Sequence, residues 1–73
     1  MSVVKVIELI AESDQSWEAA AQAAVTHAGK TIRNIKSVYV KDFQAKVGKD
    51  NNITKYRVTA KITFVIEEGH DKD

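Results

Sequence analysis

Apolar and polar positions along this chain change period three times, and each period predicts an element. Val3–Ile10 is a β-branched, apolar run with Lys5 and Glu8 interspersed, which predicts a first strand with one mostly buried face. Ala11–Gln15 reads as a turn, and Ser16 is a good helix N-cap with Glu18 following in the first turn. Trp17, Ala21, Ala24, Val25, Ala28, Ile32 and Ile35 then recur at three- and four-residue steps. This spacing predicts one helix of roughly 18 residues whose alanine-rich face lets a sheet approach closely. Glu18, Gln22, Thr26, Gly29, Lys30 and Arg33 fall on the other face, and Gly29 marks either close packing or a loosened last turn.

After Asn34 the period becomes two. Ile35–Val47 and Ile53–Glu67 are expected to be strands joined by the turn-rich loop Gly48–Asn52. In the last strand Tyr56, Val58, Ala60, Ile62, Phe64 and Ile66 alternate with Lys55, Arg57, Thr59, Lys61, Thr63 and Val65, and the first set is the expected core face. The apolar phase of the middle strand breaks near Lys41–Phe43, as at a bulge or bend. The order strand, helix, strand, strand predicts an α+β domain. A right-handed crossover and a hairpin give the sheet order 1-3-2 if the third strand lies between the other two. A strand of about 14 residues spans ~45 Å, whereas an 18-residue helix covers ~27 Å. The sheet must therefore curl around the helix or be shared between subunits.

Composition sharpens the same point. The chain has 73 residues, no cysteine and two histidines far apart, so disulfides and a local metal clip are not available to supplement a thin core. Association between subunits remains. The longest uncharged stretch, Ala19–Gly29, is too short and too polar to span a bilayer, and Lys5 and Glu8 rule against a signal peptide; a cytoplasmic location is expected. Net charge is +1, but it is unevenly spread. Residues 1–29 set Lys5 against Glu8, Glu12, Asp14 and Glu18, and residues 30–61 hold nine basic side chains against Asp42 and Asp50, a balance of +7. A basic middle between acidic ends suits an anionic ligand, complementarity between subunits, or a plain solvated surface.

Catalytic chemistry has little to stand on. The sequence holds no nucleophile elbow, no cysteine and no histidine pair, and Glu8 and Glu12 do not form a recognisable acid–base pair. Gly29, Gly48 and Gly69 are too scattered for a phosphate loop. Tyr39 among Lys36, Lys41 and Arg57 is only a faint version of the aromatic–basic interleaving that nucleic-acid binding uses, so no nucleic-acid or membrane partner is expected.

Four separated blocks then carry a resemblance. Lys5-Val6-Ile7-Glu8-Leu9-Ile10 followed by Ser13, Ser16-Trp17-Glu18-Ala19-Ala20, Lys30-Thr31-Ile32-Arg33-Asn34-Ile35 and Tyr56-Arg57-Val58-Thr59-Ala60-Lys61-Ile62 resemble the dodecin family in order and spacing, over residues 3–68. The resemblance implies one β-α-β-β domain over residues 1–73 with a polar tail at 69–73. It also implies a long antiparallel sheet wrapped around one helix, and a hollow homo-dodecamer of tetrahedral symmetry. It further implies a non-enzymatic protein that stores flavin, riboflavin or FMN, near the threefold axes.

One departure bears on that function. Where the resemblance implies a flavin-stacking tryptophan, two residues beyond Asn34-Ile35, this chain has Ser37. The only tryptophan, Trp17, is expected in core or subunit packing. Tyr39 shares a strand face with Ser37 and offers a displaced stacking surface about 6–7 Å along, or else is an interface tyrosine. Arg57 takes the position whose side chain is implied to hydrogen-bond the flavin ring, or else pairs across subunits with Glu8 or another carboxylate. Asp42 matches, more loosely, a carboxylate near the ligand's polar tail. Family members without the tryptophan are associated with calcium, for which Asp50, Asn51 and Asn52, or Glu8, Glu12 and Asp14, are the oxygen-bearing candidates. A cage that has lost flavin is thus the alternative reading.

Overall fold

A computed structural model describes residues 2–68; the tail expected at 69–73 lies outside the described residues. The elements are β1 (Ser2–Ser13), α1 (Trp17–Ala28), β2 (Ile35–Val47) and β3 (Ile53–Glu68). The expected α+β, β-α-β-β architecture is present: β3 lies between β1 and β2, antiparallel to both, in the order 1-3-2.

Two boundaries differ from the sequence reading, each for a local reason. The turn expected at Ala11–Gln15 shortens, because Ala11, Glu12 and Ser13 stay in register with Val58, Arg57 and Tyr56 of β3. Only then does the chain bend, with the Ser13 Oγ accepting from the Gln15 N–H at 2.9 Å. Ser16 caps α1 as expected, its Oγ accepting from the Ala19 N–H at 2.9 Å.

The helix is 12 residues long, not 18. It ends at Ala28 because Lys30 and Thr31 donate to the carbonyls of His27 and Ala28, the tighter three-residue pattern that closes a helix end. Asn34 then takes φ 63°, the left-handed conformation asparagine tolerates, and turns the chain into β2. Ile32 and Ile35 therefore reach the core from the connection and from β2 rather than from the helix.

The helix meets the sheet along Ala20, Ala24 and Ala28, a stripe at four-residue spacing that is at most 5 % exposed. Ala21 and Val25, expected on this face, sit half-buried on its margin. Opposite lie Val58, Ala60 and Ile62 of β3, each fully buried, flanked by Ile7, Leu9 and Ala11 of β1 and Val40 of β2. Small residues on the helix and branched ones on the sheet give the close approach that the alanine pattern predicted.

The end of β3 departs from strict alternation. Ile66, expected in the core, is 57 % exposed, while Val65 is buried. The ladder with β1 slips between Val3 and Val4, and the Val65 N–H leaves the expected pattern to donate to the Asn34 carbonyl at 3.1 Å. The phase break foreseen at Lys41–Phe43 is a bulge: Val40 pairs with Ala60 and Asp42 with Thr59, leaving Lys41 unopposed.

The β2–β3 hairpin closes with the Gly48 N–H donating to the Asn52 carbonyl at 2.8 Å and Asn51 at φ 67°. A Cβ on Gly48 would fall 2.9 Å from Thr54 Cγ2, so a side chain there must push that methyl aside. The molecule measures 58 × 20 × 14 Å. At 1.5 Å per residue the helix covers roughly 18 Å of that length, and most of the sheet carries no layer of its own.

Candidate functional site

Period two and the ladder register sort the sheet into two faces. Val38, Val40, Phe43 and Ala45 of β2 stand opposite Ile62, Ala60, Val58 and Tyr56 and share the helix side. Ser37, Tyr39, Asp42 and Gln44 stand opposite Thr63, Lys61, Thr59 and Arg57 on the other, outer side. On β1 the outer side continues with Val6, Glu8, Ile10 and Glu12, opposite the same four residues of β3. All four candidate residues, Ser37, Tyr39, Asp42 and Arg57, therefore lie on the face that the helix leaves bare.

They do not lie in one place. Ser37 and Tyr39 are neighbours on β2, and Tyr39 is 64 % exposed. Arg57 is six residues along β3 from Thr63, the partner of Ser37, which is about 20 Å at strand rise. Asp42, opposite Thr59, stands between the two, with Lys61 two residues along β3 on one side and Arg57 two residues along on the other. Within one chain the fold thus makes two groups: an aromatic one around Ser37 and Tyr39, and a charged one around Arg57.

The aromatic group is bordered by charge. Lys61 is directly across from both Tyr39 and Glu8, so the three form a row across the sheet. Lys41, released by the bulge, reaches Glu8 at 3.7 Å.

The charged group is more tightly organised. Arg57 Nε donates to Glu12 Oε2 at 2.7 Å, and Lys55 Nζ stands 4.0 Å from the other carboxylate oxygen. The hydrogen bond from Arg57 holds the Glu12 carboxyl below the usual carboxylate range, aided by the charges of Arg57, Lys55 and Lys46. The ion pair expected of Arg57 across subunits is thus made inside one chain, to Glu12. Sequence reasoning missed this pair because it placed Glu12 in a turn; continuing β1 to Ser13 would have set Glu12 opposite Arg57.

Trp17 belongs to the other side of the sheet. Its Nε1–H donates to the Gln44 carbonyl at 2.9 Å, and its ring meets Phe43 and Tyr56 edge-on, at centroid distances of 5.9 and 4.9 Å. It is a packing residue, as expected, and is not a substitute for an aromatic ring at position 37.

Metal chemistry finds less support within one chain. Among the described residues no three His, Cys, Asp or Glu side chains gather as a ligand set. Asp50 is spent on the hairpin, its carboxylate accepting from the Asn52 backbone and side-chain N–H groups at 3.1 and 3.0 Å, which lowers its pKa. Among the described residues no helix is long and apolar enough to cross a membrane.

Comparison with known proteins agrees with this geometry. The Dodecin family model matches residues 3–67. A dodecin from Thermus thermophilus is 35 % identical over 66 residues, covering 90 % of this chain and 94 % of the relative. Calcium dodecin from Mycobacterium tuberculosis is 38 % identical over 64 residues, covering 88 % and 89 %. Among solved structures, a Thermus thermophilus protein superposes with TM-score 0.85 at 33 % identity, covering 94 % of this chain and all of the other. The structure of Mycobacterium tuberculosis calcium dodecin, described as having a novel calcium-binding site, superposes with TM-score 0.77 at 33 % identity, covering 90 % and 93 %. With the family pattern matched almost end to end and the same strand order and helix placement in the structure, this chain belongs to the dodecin family.

Proposed function

We propose that this protein is a non-enzymatic, hollow homo-dodecamer that binds flavin, as riboflavin or FMN, and that Tyr39 supplies the aromatic surface in place of a tryptophan at position 37. Assembly follows from what one chain leaves uncovered. Val6, Ile10, Phe43, Val47 and Ile66 are each more than half exposed, and in a molecule 58 Å long the sheet has one short helix on one side only. Exposure on this scale in so small a chain is relieved by burial against further copies.

The observation that carries the ligand reading is the placement of Tyr39. Its ring is 64 % exposed, takes no part in the core, and stands beside the small Ser37 on the bare face. Stacking on an aromatic side chain contributes about 1–3 kcal/mol for a planar heterocycle, and the exposed Ser37 beside it adds only a small side chain. Titrating riboflavin and FMN with the protein while following flavin fluorescence tests this directly. Saturable quenching at micromolar flavin supports it; no quenching at tens of micromolar overturns it.

A second reading rests on the calcium dodecin relative, 38 % identical to this chain. In it the cage holds calcium through oxygens drawn from more than one subunit, with Glu8, Glu12 and Asp14 near the outer face as contributors. Calorimetric titration with calcium separates the two readings: heat that a chelator abolishes, without flavin quenching, favours the ion.

A further inference from the structure

A row of three side chains crosses the outer face: Glu8 of β1, Lys61 of β3 and Tyr39 of β2, each directly across the ladder from the next. Register alone would pair Glu8 with Lys61, its immediate neighbour. Glu8 pairs with Lys41 instead, at 3.7 Å, although the two start from strands roughly 10 Å apart with β3 between them. Lys41 has this reach because the bulge leaves it unopposed on β2. Among the described residues no carboxylate pairs with Lys61, which stays half-buried across from Tyr39. Asp42, the next acidic side chain on this face, stands opposite Thr59, one row beyond Tyr39.

An uncompensated ammonium next to an aromatic surface acts on the charge of whatever stacks there. The ring of oxidised flavin is neutral. Reduction adds two electrons and, above neutral pH, one proton, which leaves the ring one negative charge. Opposite charges at a half-buried site attract more strongly than in bulk water, so Lys61 stabilises the reduced ring and leaves the oxidised one nearly unaffected. Stacking on a phenol favours the oxidised, electron-poor ring. The two residues therefore pull in different directions: Tyr39 supplies affinity, and Lys61 acts on redox state.

We infer that Lys61 is a specificity-determining residue of this surface, biasing it toward the reduced, anionic flavin, and that Lys41 sustains the bias by holding Glu8 away from Lys61. The inference rests on the flavin reading of Tyr39. Oxidised and reduced affinities are linked through the potential, so a bias toward the reduced ring raises the midpoint of bound flavin.

The test measures the midpoint potential of riboflavin on the assembled protein, by anaerobic titration with dithionite against a reference dye at mildly alkaline pH. Binding of oxidised riboflavin is recorded first, by quenching, for every variant. Lys61→Met lowers the midpoint by about 20 mV or more, a roughly fivefold loss of preference for the reduced ring, while oxidised riboflavin still binds. Lys61→Arg keeps the charge and the wild-type midpoint. Lys30→Met removes an exposed charge beyond the end of the helix and also keeps it. Lys41→Met lowers the midpoint by releasing Glu8 to Lys61, and in a Glu8→Gln background that drop disappears.

An equal midpoint in wild type and Lys61→Met, with oxidised riboflavin quenched by both, overturns the inference and leaves the flavin reading standing. An equal drop from Lys41→Met in both Glu8 backgrounds overturns the part assigned to Glu8. No quenching by the wild type overturns the flavin reading itself, and the role of Lys61 with it.

Discussion

Tyr39 of β2 stands directly across the ladder from Lys61 of β3, on the sheet face that the helix leaves bare. A phenol ring with an ammonium beside it, and a serine two residues before it on the same strand face, makes an open surface for a flat, electron-poor ring.

Filling the serine position should strengthen that surface. Ser37 is exposed, so Ser37→Trp adds a π face without disturbing the core. Flavin affinity is expected to rise roughly tenfold or more, read as a shift of the quenching midpoint, with thermal stability within about 0.5 kcal/mol of wild type. No gain in affinity would mean that the surroundings of Ser37 do not accept a ring.

The helix–sheet contact should tolerate no added volume. Ala24 is 2 % exposed against the sheet, whereas Ala23 faces solvent. Ala24→Leu is expected to cost about 1–3 kcal/mol in urea denaturation, and Ala23→Leu close to nothing. Equal effects would contradict the Ala20–Ala24–Ala28 stripe as the line of closest approach.

Acid should weaken the β1–β3 pairing through Glu12. Its carboxyl is held below the ordinary value of 4.5 by Arg57, so the folded state binds its proton less readily than the unfolded chain. The resulting stabilisation is complete above the unfolded value and is lost as pH falls through the lower folded value. Glu12→Gln should flatten the stability profile in that acid window and change little at pH 7 in its slope. An unchanged acid limb in Glu12→Gln would remove Glu12 from the explanation.

Assembly is read most simply as mass. Light scattering is expected to return about twelve times the 8.1 kDa of one chain. A monodisperse species near one chain would contradict the cage, because the exposed Val6, Ile10 and Phe43 would then face water permanently.

The order and type of the elements were legible from pattern alone, since strict alternation in β3 and the alanine steps of α1 are strong periodic signals. The helix end was not. Ile32 continues the helical spacing, but the hydrogen bonds of Lys30 and Thr31 and the left-handed Asn34 stop the helix at Ala28. Ile66 failed similarly, because a slip in the β1–β3 ladder reverses which residue is covered and no single strand shows its partner's register. Of the candidate site, the shared face of Ser37 and Tyr39 followed from period two, while the Arg57–Glu12 pair depended on how far β1 extends.

The most direct test of the flavin reading is the Kd of riboflavin for Tyr39→Ala beside wild type, by fluorescence quenching. Tyr39 is exposed, so the variant should fold and assemble unchanged while its affinity falls about tenfold or more. Equal quenching midpoints in the two proteins would contradict Tyr39 as the aromatic surface.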